Sequence, residues 1–323
     1  MFLRPILLLL AMLTASAAQA GPAVGFQHFR TPAGVEIGIW YPADAEAAAP
    51  RQLELYSQLV VDDAPVAGRG HALVVMSHGN GGSYSGHYDT AIALARAGFV
   101  VAALTHPGDN WQDQSRAIQI GERPPALSAL ISYMLDDWTG RTAIDHARIG
   151  AFGFSAGGFT VLAAAGGVPN LTLLAAHCRA HASFFDCGLL ARSGATMPPA
   201  PMQWRRDARI KAVVVAAPAL GFTFAGKGLA GVNLPVQLWA AADDRILPPP
   251  FYAEAVRDAL PRTPDYHVEP GAGHFDFLAP CTPALAAAVP AICTSAPGFD
   301  RAAFHARFNA EVVRFFLTEL ARR

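Results

Sequence analysis

Apolar positions along this chain follow two rhythms. Val35, Ile37, Ile39 and Tyr41 take every second position, which predicts a strand. Residues 72–76, 99–104, 149–152, 213–216 and 236–241 are short continuous apolar runs, the pattern of buried strands, and 266–268 is a last short candidate. Between them the spacing turns helical. Residues 88–97 carry it up to Gly98, a fitting C′ glycine. It returns at 127–135, from 159 onward and at 252–260. Near the end, Phe304, Phe308, Val312, Phe315 and Leu320 mark one face of an amphipathic helix.

Strands alternating with helices predict an α/β fold: a mainly parallel central sheet with helices on both faces. The strands before Tyr41 add an antiparallel edge. No internal repeat is visible. Residues 167–206 break the rhythm, with Cys178, Cys187, Met197-Pro198-Pro199 and Trp204 in a long stretch between a helix and a strand. A stretch of that length reads as a cap or lid over a site; the competing reading is a peripheral structural insertion.

The chain has 323 residues, 52% of them apolar and 15% charged. It can bury a substantial core, which excludes disorder on compositional grounds. A formal net charge of −1 with no long basic block leaves no electrostatic footprint for nucleic acid. The first twenty residues read as a removable export signal: Arg4, an apolar core at 6–13, and Ala18-Gln19-Ala20 before Gly21, with cleavage expected after Ala20. The apolar run is too short for a stable membrane span, and no cysteine near the cleavage point offers a lipid attachment site. An uncleaved anchor is the alternative. The mature domain is then 21–323, in a periplasmic or secreted setting. There Cys178, Cys187, Cys281 and Cys293 suggest disulfides rather than zinc, since none forms a CxxC pair. Pairing of sequence neighbours is simplest, but three connectivities are open.

The chemistry starts at Gly153-Phe154-Ser155-Ala156-Gly157, a G-x-S-x-G pattern between a buried strand and a helix. In α/β-hydrolases this is a strained strand-to-helix turn exposing a nucleophilic serine. The residues two before and two after must be small to clear the neighbouring strand and helix. The helix N-terminus that follows favours a developing oxyanion. Upstream, His78-Gly79-Asn80-Gly81-Gly82 follows a strand and allows close backbone approach to a ligand. The oxyanion donors expected are the N–H groups of Asn80 and Ala156, each typically worth on the order of 3 kcal/mol of barrier. His78 lies too early in chain order to be the base and is read as orienting the loop. A phosphate-cradling loop is the rival, but the Gly-Lys-Ser/Thr ending is absent.

Chain order in this fold is serine, acid, histidine. Asp243 and Asp244 follow the strand at 236–241, and strand alternation would send only one of them to the site. Asp244 is favoured. His274, in Gly271-Ala272-Gly273-His274, is the candidate base. His267 sits inside a strand and His305 on the terminal helix, while His177 and His181 precede the acid. Asp276 is the runner-up orienting carboxylate. Together Ser155, His274 and Asp244 imply ester cleavage through an acyl-enzyme, with no cofactor and a small-molecule or lipid-like ester as partner. A serine peptidase or amidase would use the same groups. A non-catalytic exported binding protein is the rival of another class, and it predicts no labelling by a fluorophosphonate.

With those residues placed, the chain resembles the exported "predicted dienelactone hydrolase" group of α/β-hydrolases, related to platelet-activating-factor acetylhydrolases. The resemblance rests on Ile39-Trp40-Tyr41-Pro42, on 76–82, on His106-Pro107-Gly108-Asp109-Asn110, on 153–158, on Asp244-Arg245-Ile246-Leu247-Pro248 and on 273–278, in the family's order. It implies esterase chemistry on acyl esters without fixing a substrate. The Asp-x-x-x-Pro match also favours Asp244. Dienelactone hydrolases proper use a cysteine where this chain has serine. Residues 106–111 sit at a strand end, lining the pocket or capping the structure.

Overall fold

The computed structural model describes residues 23–45, 49–53, 55–194 and 202–321. The segment 1–20 expected to be an export signal, the expected cleavage point, and Met197-Pro198-Pro199 lie outside the described residues. Ten strands are described: β1 (Ala23–Arg30), β2 (Glu36–Ala43), β3 (Ala49–Leu53), β4 (Tyr56–Asp62), β5 (His71–Ser77), β6 (Val100–Leu104), β7 (Ile144–Phe154), β8 (Ile210–Ala216), β9 (Val236–Ala241) and β10 (Asp265–Glu269). Their spatial order is β10-β9-β8-β7-β5-β6-β2-β1-β4-β3. Every pairing from β10 through β6 is parallel. β2 is antiparallel to both β6 and β1, as expected of the strands before Tyr41, while β1 pairs parallel to β4. β3 and β4 close that side as an antiparallel pair.

The helices are α1 (Tyr88–Arg96), α2 (Arg123–Asp136), α3 (Ala156–Ala164), α4 (Leu173–Ala180), α5 (Phe185–Ser193), α6 (Ala253–Ala259), α7 (Pro283–Ala288), α8 (Pro290–Cys293) and α9 (Arg301–Glu319). Strand alternation sends Leu73 and Val75 of β5 to one face of the sheet, and Val74 and Met76 to the other. The first face packs on Leu127 and Ile131 of α2, Phe159 of α3 and Val256 of α6. The second packs on Leu94 of α1 and on Phe304, Phe308 and Val312 of α9. With both faces covered, the central strands read as unbroken apolar runs.

Segment 167–206 holds α4 and α5, which the Cys178–Cys187 disulfide joins across a Cα–Cα distance of 5.2 Å. Cys281 and Cys293 pair at 5.8 Å, so sequence neighbours bond in both cases. Disulfides fit an oxidising compartment. Among the described residues no helix is long and apolar enough to cross a membrane.

Candidate active site

Ser155 lies between the end of β7 and the start of α3, with φ 55° and ψ −118°. A non-glycine residue there is strained and needs support from its surroundings. Its N–H donates to Ala216 O (2.9 Å) at the end of β8, and its own carbonyl accepts from Ala219 N (2.9 Å). The glycines around it answer a steric demand. A Cβ on Gly153 would stand 2.1 Å from Gly157 O, and one on Gly157 would stand 1.8 Å from Ser77 O.

His274 reaches Ser155 from a 3-10 turn at His274–Phe277, after β10. Its Nε2 lies 3.0 Å from Ser155 Oγ, and its Nδ1 lies 2.7 Å from Asp244 Oδ2. A carboxylate only accepts, so Nδ1 carries the hydrogen and Nε2 is free to accept from the serine hydroxyl. All three side chains are buried. Asp244 is held in turn: its Oδ1 accepts from Ile246 N (2.9 Å) and Leu247 N (2.7 Å). Asp243 is exposed. Both aspartates lie beyond β9, in a turn, so strand alternation does not separate them; the turn's two N–H groups turn the Asp244 carboxylate inward.

Asp276 does not orient His274. Its Oδ2 accepts from Gly273 N (2.8 Å) and its Oδ1 from Arg301 Nε (2.9 Å), which pins the turn bearing His274 to α9. The Arg301 Nη1 also donates to Ile292 O (2.9 Å), beside the Cys281–Cys293 bridge. His267 stacks on Trp239 with ring centroids 4.1 Å apart. His305 donates from Nδ1 to Asp89 Oδ2 (2.6 Å) and from Nε2 to Asp276 O (2.9 Å).

The loop after β5 lies against the serine: a Cβ on Gly79 would stand 3.2 Å from Ser155 Cβ. His78 does not reach the serine. Its Nε2 accepts from His106 N (2.9 Å), so its Nδ1–H donates to Gly79 O (2.6 Å). Burial, with Arg123 nearby, pushes the His78 pKa well down and keeps the ring neutral. Neither the Asn80 N–H nor the Ala156 N–H has an acceptor among the described residues. Ala156 opens α3, where the first N–H groups lack partners within the helix. Residues 106–111 carry capping bonds: Asn110 Nδ2 donates to His106 O (2.9 Å), and Asn110 Oδ1 accepts from Gln112 N (3.0 Å) and Asp113 N (3.0 Å). Trp111 is exposed.

Two buried charged residues escape sequence reasoning. Arg123, the first residue of α2, and Asp109 pair at 2.9 Å beneath the loop at 78–82. Asp109 lies inside the Pro-Gly-Asp-Asn stretch, but nothing in the spacing marks Arg123 as facing inward.

Two residues of the insertion meet partners outside it: Asp186 of α5 accepts from Tyr252 OH (3.1 Å), and His177 stacks on Phe222 with centroids 3.8 Å apart. Burial raises the pKa of both Asp186 and Tyr252. His177, Asp186 and Cys187 bring ligand atoms within 4.8 Å of one another. The Cys187 sulfur is bonded to Cys178, which leaves two donors and no thiolate for a metal.

No family model matches the chain. No curated protein matches it either. Among solved structures, a ferulic acid esterase from Streptomyces cinnamoneus superposes with a TM-score of 0.62 at 20% identity, covering 96% of this chain and 93% of that one. The likeness joins the parallel sheet, the covered faces and the strand-turn-helix at Ser155 into one conclusion: this chain has the α/β-hydrolase fold.

Proposed function

We propose that this protein is an exported serine hydrolase that cleaves carboxylic esters. One observation carries the reading: a buried hydroxyl, imidazole and carboxylate from three distant segments stand in a row, at 3.0 Å and 2.7 Å. The serine in that row sits on a strained turn at the carboxyl end of the sheet, where ligands bind in open α/β folds.

Ser155 Oγ attacks the ester carbon while its proton passes to His274 Nε2. The carbonyl oxygen becomes an oxyanion, taken by the Asn80 and Ala156 N–H groups. Collapse breaks the C–O bond, and Nε2 returns the proton to the departing alcohol. Water then attacks the acyl-enzyme by the same route, giving its proton to Nε2 and releasing the acid. Asp244 stays ionised throughout and holds the imidazole tautomer.

The structural likeness to a protein named as a ferulic acid esterase supports esters over amides, as does the resemblance to the dienelactone hydrolase-like group. Segment 167–206 is read as the cap. Its Asp186 bonds Tyr252, and Tyr252 lines a small cavity together with Asp244.

The test is direct. A fluorophosphonate should label Ser155, located by peptide mass. Ser155→Ala should lower kcat on p-nitrophenyl acyl esters by on the order of 10⁵-fold or more. Peptide anilides should turn over far more slowly than the esters. A Ser155→Ala variant that keeps the wild-type rate ends the proposal.

A further inference from the structure

Gly79 O is crowded with donors. It accepts from the His78 ring at 2.6 Å, from Gly82 N at 3.1 Å and from Arg123 Nη2 at 3.2 Å. Arg123 Nη1 donates to the preceding carbonyl, His78 O, at 2.7 Å. The guanidinium is held from behind: its Nε donates to Asp109 Oδ2 at 2.9 Å. Asp109 Oδ1 accepts from Asn80 Nδ2 (2.6 Å) and Gly81 N (3.1 Å), so one carboxylate grips both the arginine and the loop beyond Gly79. Arg123 and Asp109 are each 3% exposed.

A peptide unit is planar and trans, so its C=O and N–H point to opposite edges. Fixing Gly79 O against three donors therefore fixes the Asn80 N–H on the other edge, where no described residue takes it. Turning that peptide over would leave one buried guanidinium N–H, that of Arg123 Nη2, and the His78 imidazole N–H without their acceptor. Hydrogen bonds to a carbonyl also polarise the amide and make its N–H a better donor.

We propose that Arg123, held by Asp109, is a positioning residue for hydrolysis: it locks and polarises the Gly79–Asn80 peptide so that the Asn80 N–H is ready for the oxyanion. This rests on the esterase reading above. Arg123 touches no reacting atom. It acts through one peptide bond, so its loss is felt at the transition state rather than in substrate binding.

Two variants and one structure test it. Arg123→Lys keeps the positive charge beside Asp109 but loses the fork that reaches two carbonyls. Arg123→Gln combined with Asp109→Asn removes the charge pair together. In each, kcat on a short p-nitrophenyl ester should fall about 100-fold, with KM changed less than about threefold. Fluorophosphonate labelling should be slower yet reach the same final extent. A folded variant that loses thermal stability but keeps its kcat overturns the proposal and leaves the pair a purely structural role. Should both variants fail to fold, the wild-type fluorophosphonate adduct decides. Its phosphonyl oxygen should accept from Asn80 N while Gly79 O still bonds Arg123; a Gly79 carbonyl turned toward the phosphorus overturns the inference. Absence of any adduct on Ser155 defeats the esterase reading instead, and this proposal with it.

Discussion

Gly157 has no room for a side chain, and the obstacle is backbone: its Cβ would meet Ser77 O at 1.8 Å. A flexible neighbour could yield, but β5 cannot move without breaking its pairing with β7. Gly157→Ala should therefore cost about 1–3 kcal/mol of stability, read by urea unfolding, and should also reduce turnover by displacing Ser155. At the acid, Asp244→Asn should lower kcat about 10⁴-fold by favouring the wrong imidazole tautomer. Asp243→Asn should leave kcat within about twofold, because that side chain is exposed. Equal losses in the two variants would show that Asp244 is not the orienting group. The glycine requirement was legible in the sequence, because it follows from the spacing of one local turn. Strand alternation, which favours Asp244 in the sequence, does not operate there, since its direction comes from the N–H groups of Ile246 and Leu247. Arg123 was not legible at all. Its inward orientation depends on Asp109, fourteen residues earlier, and on carbonyls some forty-five residues away.

α9 does more than cover the sheet. Through Arg301 it holds Asp276, and through His305 it holds the Asp276 carbonyl, so the turn carrying His274 hangs from this helix. His305 faces two oxygen acceptors and donates from both ring nitrogens, which requires the protonated ring. Burial pushes its pKa down, but the Asp89 charge and hydrogen bond and the Asp276 carbonyl outweigh it, against opposition from Arg301, and the net value is raised. Burial pushes Asp89 up, yet His305 and Asn309, with a smaller effect of His87, bring it to a net lowered value. His87 itself is pushed down to about 4 by burial. The signs define a window. The His305 contribution is complete below its ordinary value of 6.5 and is lost as pH rises through the raised value. The Asp89 contribution is present above its ordinary 3.8 and is lost as pH falls through the lowered value. His305→Gln should cost about 2 kcal/mol near pH 6. The gap in Tm from wild type should narrow as pH rises above neutrality; a gap constant from pH 6 to 9 contradicts the protonated clasp. The periodicity of α9 was plain, since its apolar face repeats every three or four residues. β3 and β4 are not legible in the sequence, because that edge of the sheet is built by pairing rather than by continuous apolar runs.

Across the whole molecule, two apolar layers hold the sheet while two short covalent loops hold what the layers do not reach. The main strands and helices were readable because a sheet covered on both faces writes itself as apolar runs separated by helical spacing. The fold of α4 and α5 could not be read that way, since it depends on contacts within a loop, while the disulfides join sequence neighbours, the simplest of the three open pairings. The two bridges act on different parts of the proposed reaction. Cys281–Cys293 closes a segment that Arg301 ties to Asp276, and so to the turn bearing His274. Cys178–Cys187 joins the helices whose Asp186 meets Tyr252, at the edge of the cavity that Asp244 also lines. Their sequence separations, 12 and 9, are alike, so loop entropy predicts a similar loss for each, about 2–3 kcal/mol. The catalytic effects should then part. Replacing Cys281 and Cys293 by alanine should lower kcat for every ester, because the imidazole is less well held. If 167–206 is the cap proposed above, replacing Cys178 and Cys187 should leave kcat for a small acetyl ester near wild type and change KM for bulky acyl esters, because only that segment is loosened. Steady-state kinetics on p-nitrophenyl acetate and on a long or aromatic acyl ester, beside thermal melts of both double variants, separate the two effects. Identical kinetic profiles in the two variants would show that α4 and α5 do not cover the site and that 167–206 is a peripheral insertion.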